Sequence, residues 1–567
     1  MAGEESGLAK LDAFIAELLS DWDIYSTLIT GFIVAFLVYS LVSSKEPDCH
    51  PYLLARQASE APVRQPGESA AHRNLETPFG FPLKTGLNIK DPGAPKWTGG
   101  RNGDLRDIWR AAVRGAVNDD GSVSGKKGKI YTVLGKHVEE HSLDDITQEI
   151  NVIGQYIKDA NARTVVICLS DSIELLAAIF AGAFYGFKTV IVPHNLPSES
   201  LTEYLQKAQA ELLIAEAGAV DLSVVTKGNQ QLSHVLWVAK QGSRHMEWDQ
   251  VPEGIGGRLE VAVWHELVKD KKDSITSELP EWDPKTPTPS LTTVWPTASG
   301  IGEFIEYEPK NIVSAVGALI SALPRNQRLT PDDLLLSIDS LSRSYPLSLV
   351  LAALFSNSSI ALNSVAGEGV DFALATVGIS PTVIVASSRT MSEYHKKFMK
   401  PHAGIISKIS RWFQARSLDA GTMPSSNLLT KIANIGPTAE LSLDKLRLLF
   451  ISHRADAPGE YRLSSEQLAD LRIFTGARVV YALTGPGVAG AISQTNVFDY
   501  RRQDGLSHFG APLSSVEVTL KGHPEDAGLE RAVEGQIAAA GPAVVSGKTT
   551  LPAPGLFGED NTLHLRA

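Results

Sequence analysis

The sequence predicts an α/β protein with two parallel or mixed α/β subdomains and a small β-rich subdomain, preceded by one N-terminal transmembrane helix. Three observations carry this reading. From Ser142 onward, short β-branched runs alternate with segments of helical period, the pattern of a parallel sheet covered by helices. After about Gly505 the pattern turns to short strands in succession, which predicts a closing β-rich piece. Near the N-terminus, residues 24–42 read IYSTLITGFIVAFLVYSLV, nineteen residues without a charge.

That apolar stretch is long enough to cross a hydrocarbon core of roughly 30 Å. Tyr25 and Tyr39 stand near its ends, where interfacial aromatics belong. A cleaved secretory signal requires a basic leader and a small-residue cleavage site. The preceding segment instead carries Glu4, Glu5, Asp12, Glu17, Asp21 and Asp23 against Lys10 alone. The expectation is an acidic tail over 1–23 and an uncleaved single-pass anchor over 24–42. Lys45, Arg56 and Arg64 follow the span and favour a cytosolic body.

The body is an ordinary globular mixture, 43% hydrophobic and 20% charged, so a large core is expected. Its net charge of −12 repels phosphate backbones, and nucleic acid is excluded as a partner. Two cysteines, Cys49 and Cys168, make neither a disulfide framework nor a zinc site. Cys168 lies in the run VVICL and reads as a small buried hydrophobe. The fourteen histidines show no HExxH and no paired ligand spacing, so no metal site is predicted. His234, His265 and His508 read as structural or surface residues. No G-x-S-x-G elbow is present.

Residues 46–105 are rich in Pro, Gly and polar residues and read as an extended lead-in; 117–128 reads as a solvated loop. An amphipathic helix is expected over 142–161 and a buried strand over 164–169. Asp171, three residues before Glu174, reads as a capping-box start for a helix over 172–186 that is apolar nearly all round. A strand at 189–192, a helix at 198–210 and a strand at 212–215 continue the alternation. The proline-rich stretch 280–290 reads as a subdomain linker or an extended approach to a site. Beyond it come a helix at 311–323 and strands near 334–338, 382–386, 446–451 and 478–481. Short strands at 516–520, 535–539 and 563–565 close the chain.

Five segments in this order resemble the adenylate-forming (AMP-binding) superfamily, and within it the N-terminal domain of long-chain acyl-CoA synthetases. They are DSIELLAAIFAGAFYG from Asp171, ISPTVIVASSR from Ile379, LRLLFIS from Leu446 leading to Ala457-Pro458, FGAPLSSVEVTL from Phe509, and GQIAAAGP from Gly535. The resemblance assigns 106–567 to that domain. It implies an enzyme that activates a carboxylate with ATP and Mg²⁺ and passes the acyl group to CoA.

The family's functional residues transfer only in part. Its Ser/Thr/Gly phosphate loop matches WPTASGIGEF, where Thr297, Ser299, Gly300 and Gly302 keep the loop's character. The family's lysine falls on Glu303, which repels a triphosphate; a plain glycine turn between strand and helix is the competing reading. The family's aromatic-Gly-x-Thr-Glu segment matches YALTG. Tyr481 and Thr484 remain as adenylate-site remnants, but Gly485 replaces the carboxylate that helps hold Mg²⁺. Tyr481 also reads as a core aromatic at a strand end. Gly485–Gly490 spells G-x-G-x-x-G, yet the segment that follows is a poor helix, against a dinucleotide site. The family's C-terminal domain with its catalytic lysine is expected to be absent. Asp560 is a loose counterpart of the ribose-binding aspartate.

The resemblance therefore implies a catalytically degenerate acyl-CoA synthetase-like protein acting in lipid metabolism, binding an acyl chain or scaffolding a protein partner. The alternative is an active fatty acid–CoA ligase using ATP, Mg²⁺ and CoA, with Lys310 or Arg389 supplying the missing charge. Anchored long-chain synthetases point to the endoplasmic reticulum membrane with a cytosolic body; a peroxisomal or lipid-droplet surface fits the same anchor.

Overall fold

Strand and helix alternate in the computed structural model much as the sequence predicts, and they build three sheets. The structure describes residues 23–42, 46–90, 94–95, 97–117, 122, 124–239, 258–281, 283–298, 300–367, 369–399, 405–424, 443–522 and 534–566. The chain forms two units, Met1–Asp48 and Cys49–Ala567.

In the first unit a helix spans Ile24–Val42, over the segment expected to cross a membrane. Its side chains are described over 24–36, where Ile24, Leu28, Ile29 and Phe32 are exposed. Among the described residues no helix is long and apolar enough to cross a membrane, so the expected span is not established by the structure.

In the second unit, a seven-stranded sheet is centred on Thr164–Cys168, Lys188–Ile191 and Leu212–Glu216. These pair in parallel and are rich in Val, Ile and Leu, as a sheet buried on both faces demands. Helix Ile173–Tyr185 covers it with almost no polar face. It packs on helix Leu143–Asp159 at Gly154, where a Cβ would lie 2.1 Å from the Tyr185 ring. The helix start corrects one expectation. Ser172 is the cap, its hydroxyl accepting from the Leu175 N–H. Asp171 turns instead to the second sheet, where its buried carboxylate accepts the Leu341 N–H at 3.0 and 3.1 Å and the Ser340 hydroxyl at 3.3 Å.

Those hydrogen bonds tie the first sheet to the second. The nine-stranded sheet has a parallel centre formed by Arg478–Thr484, Leu448–Arg454, Val383–Ser387, Leu334–Ser337 and Ser359–Asn363. Helices Pro309–Ala322 and Ser344–Phe355 contribute most of their residues to the core shared by these two sheets. A hairpin at Ile130–Leu134 and His137–His141 closes one edge.

The third sheet is antiparallel and six-stranded, and includes Glu517–Lys521, Glu534–Ala540, Lys548–Phe557 and Leu563–Leu565. It is the expected β-rich closure, with one difference. The lead-in is not merely extended, because Ala58–Glu60 and His72–Asn74 join this sheet as strands, His72 opposite Val518. The stretch 280–290 leads into strand Leu291–Trp295 within the same unit.

Candidate functional site

Leu291–Trp295 and Glu303–Tyr307 pair antiparallel, so the loop with the phosphate-binding resemblance is a hairpin loop over 296–302. It is not the turn between strand and helix that the competing reading supposed; helix Pro309–Ala322 begins only after the second strand. Three of the loop's donors are spent on the protein. The Thr297 hydroxyl donates to the Ile301 carbonyl at 2.6 Å. The Gly300 N–H reaches the Thr297 carbonyl at 3.2 Å, with Gly300 at φ 88°, a conformation that favours glycine. The Gly302 N–H donates to the Tyr204 hydroxyl at 2.8 Å, and a Cβ at Gly302 would stand 2.2 Å from Val294 Cγ1. Ser299 lies outside the described residues. Glu303 is exposed, in register with Trp295.

The hairpin walls a cleft of about 870 Å³. Thr297 and Glu303 line it, together with Trp295, Phe304 and Glu306 from the strands, Asp456–Pro458 after Leu448–Arg454, Pro486–Gly487 after Arg478–Thr484, and Lys548–Thr550 from the closing sheet. Its lining holds the carboxylates Glu303, Glu306 and Asp456 against the single ammonium of Lys548. Glu306 also faces Lys188 at 2.6 Å and the Ser290 hydroxyl at 2.5 Å, which hold its carboxyl below the usual range. Asp456, Lys548 and Thr549 carry no sequence motif. The one local sign was Asp456 in the turn-forming run DAPG, where it takes φ 57°.

The other remnants are packed away from this cleft. Tyr481 is fully buried. Its hydroxyl accepts the Leu463 N–H at 3.1 Å, and its ring lies 4.7 Å from Phe509. It is a core aromatic, and burial pushes its phenol pKa well up. The buried Thr484 donates to the His453 carbonyl at 3.1 Å. At Gly485, where the resemblance would place a magnesium carboxylate, a Cβ would fall 2.1 Å from Leu551 Cδ2 and 2.9 Å from Ile492 Cδ1. Asp560 accepts from Arg501 at 2.7 Å and from the Thr562 hydroxyl at 2.7 Å, and is not among the residues lining the cleft. Gly485–Gly490 runs into the short strand Ser493–Gln494, so no helix N-terminus stands where a dinucleotide would place its pyrophosphate.

Behind the hairpin the interior closes to a void of about 20 Å³, lined by Trp295, Asp339, Arg343, Tyr345, Arg454 and Thr484 among others. That is room for about one water. Its charges neutralise one another. Asp339 pairs with Arg343 and accepts the Ser452 hydroxyl at 3.2 Å. Arg454 pairs with Glu460 at 2.5 Å, and Glu460 also accepts the Ser388 hydroxyl at 2.6 Å. The cations considered as replacements are engaged elsewhere: Lys310 with Glu308 at 2.7 Å and Arg389 with Glu393 at 3.2 Å.

No family model matches the chain. An uncharacterised Saccharomyces cerevisiae (strain ATCC 204508 / S288c) protein, YHR045W, is 23% identical over 492 residues, covering 82% of this chain and 79% of the yeast protein. Among solved structures, the anthranilate CoA ligase AuaEII in complex with anthranoyl-AMP superposes with a TM-score of 0.56 at 12% identity, over 84% of this chain and 79% of that one. The fold is that of the adenylate-forming enzymes. A long-chain-fatty-acid-CoA ligase, FadD1 from Archaeoglobus fulgidus, agrees with a TM-score of 0.55 at 13% identity, over 85% and 86% of the two chains. VinN agrees at 0.54 and 14% identity, over 82% of this chain and 99% of its own.

The residues present do not fit a magnesium–nucleotide triphosphate. A polyanion needs donors and cations aimed at its oxygens. Three of the hairpin loop's donors are turned inward, the cleft lining is net acidic, and a side chain at Gly485 would have to displace Leu551 and Ile492. Among the described residues no group of three or more His, Cys, Asp or Glu is placed to hold a metal ion.

Proposed function

We propose that this chain uses the adenylate-forming fold without its chemistry. It is a membrane-anchored, acyl-CoA synthetase-like protein that serves lipid metabolism as a lipid-binding or scaffold protein, at the endoplasmic reticulum with its body in the cytosol. The observation that carries the loss of activity is Gly485. A carboxylate there would have to displace Leu551 and Ile492, so the metal site is closed by packing as well as lacking its ligand. The hairpin loop supports the same reading, because Thr297 and Gly302 already have intramolecular partners. The anchor rests on the charge-free run 24–42 and its helix Ile24–Val42.

The purified full chain, offered ATP, Mg²⁺, CoA and fatty acids of graded length, is expected to release no AMP above background, and calorimetry with Mg–ATP is expected to show no heat of binding. Acyl-CoA formation that disappears in Thr297→Ala overturns the reading in favour of an active ligase, for which the cleft of about 870 Å³ beside Thr297 is the supporting observation.

A further inference from the structure

Helix Ile405–Asp419 is inside-out with respect to water. Ile409, Trp412 and Phe413 are 52%, 55% and 46% exposed. With Arg416 they fall at i, i+3, i+4 and i+7, which is one helix face. The side turned to the body carries the buried Gln414 and Leu418, and among the described residues neither Gln414 Oε1 nor the Ser410 hydroxyl has a hydrogen-bond partner. An exposed stripe holding Trp and Phe marks a binding surface.

Charge and position identify the occupant. In a chain of net charge −12, the exposed face carries the cations Lys408 and Arg416, and the Arg416 guanidinium lies 5.4 Å over the Trp412 ring. Asp419, at the end of the face, is neutralised by Arg502, whose Nε stands 2.7 Å away. The neighbouring Arg501 holds Asp560 at 2.7 Å, and the Asp560 carbonyl accepts the Gln57 N–H at 2.9 Å. Gln57 closely follows the short helix Pro51–Ala55, where Tyr52 and Leu53 are exposed at 73% and 52%. A relay of contacts therefore runs from the end of this helix to the segment by which the chain enters the second unit. Aromatics and cations on one helix face suit the headgroup layer of an anionic bilayer.

We infer that the Ile409–Trp412–Phe413 face lies in the interfacial layer of an anionic membrane as a second contact of the body. The argument from position rests on the anchor proposed above; the inverted face and its charge do not. The test uses the full chain with Cys49→Ser and Ile409→Cys, labelled with nitrobenzoxadiazole; the remaining Cys168 is buried. The labelled protein is combined with phosphatidylcholine vesicles with and without phosphatidylserine. Emission is expected to shift to the blue and to be quenched at least about twofold by nitroxide lipid, more with phosphatidylserine, and less in high salt. The double variant Trp412→Ser/Phe413→Ser, altered only at exposed positions, is expected to lose the shift.

Flotation in high salt reads the anchor separately. Flotation without a shift overturns this inference and leaves the anchor; a low-salt shift without flotation does the reverse; neither signal refutes both. A shift in detergent without vesicles that grows with protein concentration assigns the face to a second copy and overturns the inference.

Discussion

At the scale of single residues, the difference between a lost ligand and a closed site is measurable. Glu303 is an exchange of charge on an exposed strand end and could in principle be reversed. At Gly485 a reversal would also have to shift the buried Leu551 and Ile492 side chains, whose terminal carbons would lie 2.1 and 2.9 Å from a Cβ there. Gly485→Ala is expected to cost about 1–3 kcal/mol through overpacking. Gly485→Glu costs more, since it adds a buried charge without a partner. Urea denaturation checks the order. A Gly485→Glu protein as stable as the parent that also binds Mg–ATP would show that the site is merely unliganded. Asp171 and Ser172 make a second comparison. Ser172→Ala removes a cap and should cost about 1 kcal/mol. Asp171→Ala strands the buried Leu341 N–H and should cost about 2–3 kcal/mol. If the serine variant proves the more damaging, Asp171 does not join the two sheets as the contacts indicate.

At the scale of elements, what the sequence made legible follows the range of the interactions. Helices that announce their own start were readable: Ser142 caps Leu143–Asp159 as read, and at Ile173–Tyr185 the start was legible to within one residue, with Ser172 and not Asp171 as the cap. Parallel strands were readable as β-branched runs, and Thr164–Cys168 lies within the predicted 164–169. Strands that exist only because a distant partner supplies the ladder were not. His72–Asn74 is three polar residues long, and its pairing partner Val518 comes from the far end of the chain; no local period distinguishes it from the loops around it. The site divides along the same line. The loop 296–302 was visible through the family resemblance, and Thr297 and Glu303 do face the cleft. That Tyr481, Thr484 and Asp560 turn away from it depends on Leu463, His453 and Arg501, contacts that no spacing encodes.

At the scale of the whole molecule, buried titratable groups set how the fold responds to acid. His72, stacked on Phe557 at 3.5 Å, and His453, beside Arg462 and Arg454, are both driven down to about 4, in each case mainly by burial. Between pH 4 and 6.5 the unfolded chain therefore binds two protons that the native state refuses, and stability rises with pH across that window. Glu149 has the opposite sign. Burial, with the nearby Glu174, lifts it to about 7 although Trp264 donates to it at 3.0 Å. The native state keeps its proton from pH 4.5 to 7 while the unfolded chain releases it, so this group loses stability as pH rises. The fully buried Asp171 and Asp339, both raised chiefly by burial, share the sign of Glu149, and the half-buried His564, driven to about 4, shares that of His72 and His453, so the slope between pH 4.5 and 6.5 is the balance of the two sets. Asp333, Asp499 and Asp560 are held below the usual range chiefly by their arginine partners and by hydroxyl or amide donors, against the opposing effect of burial, so their loss falls below about pH 4. In urea midpoints measured from pH 5 to 8, His453→Gln is expected to make the slope below about pH 6.5 less positive, and Glu149→Gln to make the slope below about pH 7 more positive while raising stability above pH 7. Unchanged slopes in both variants would mean that these groups titrate alike in the native and unfolded states, and that the interior around them is open to water.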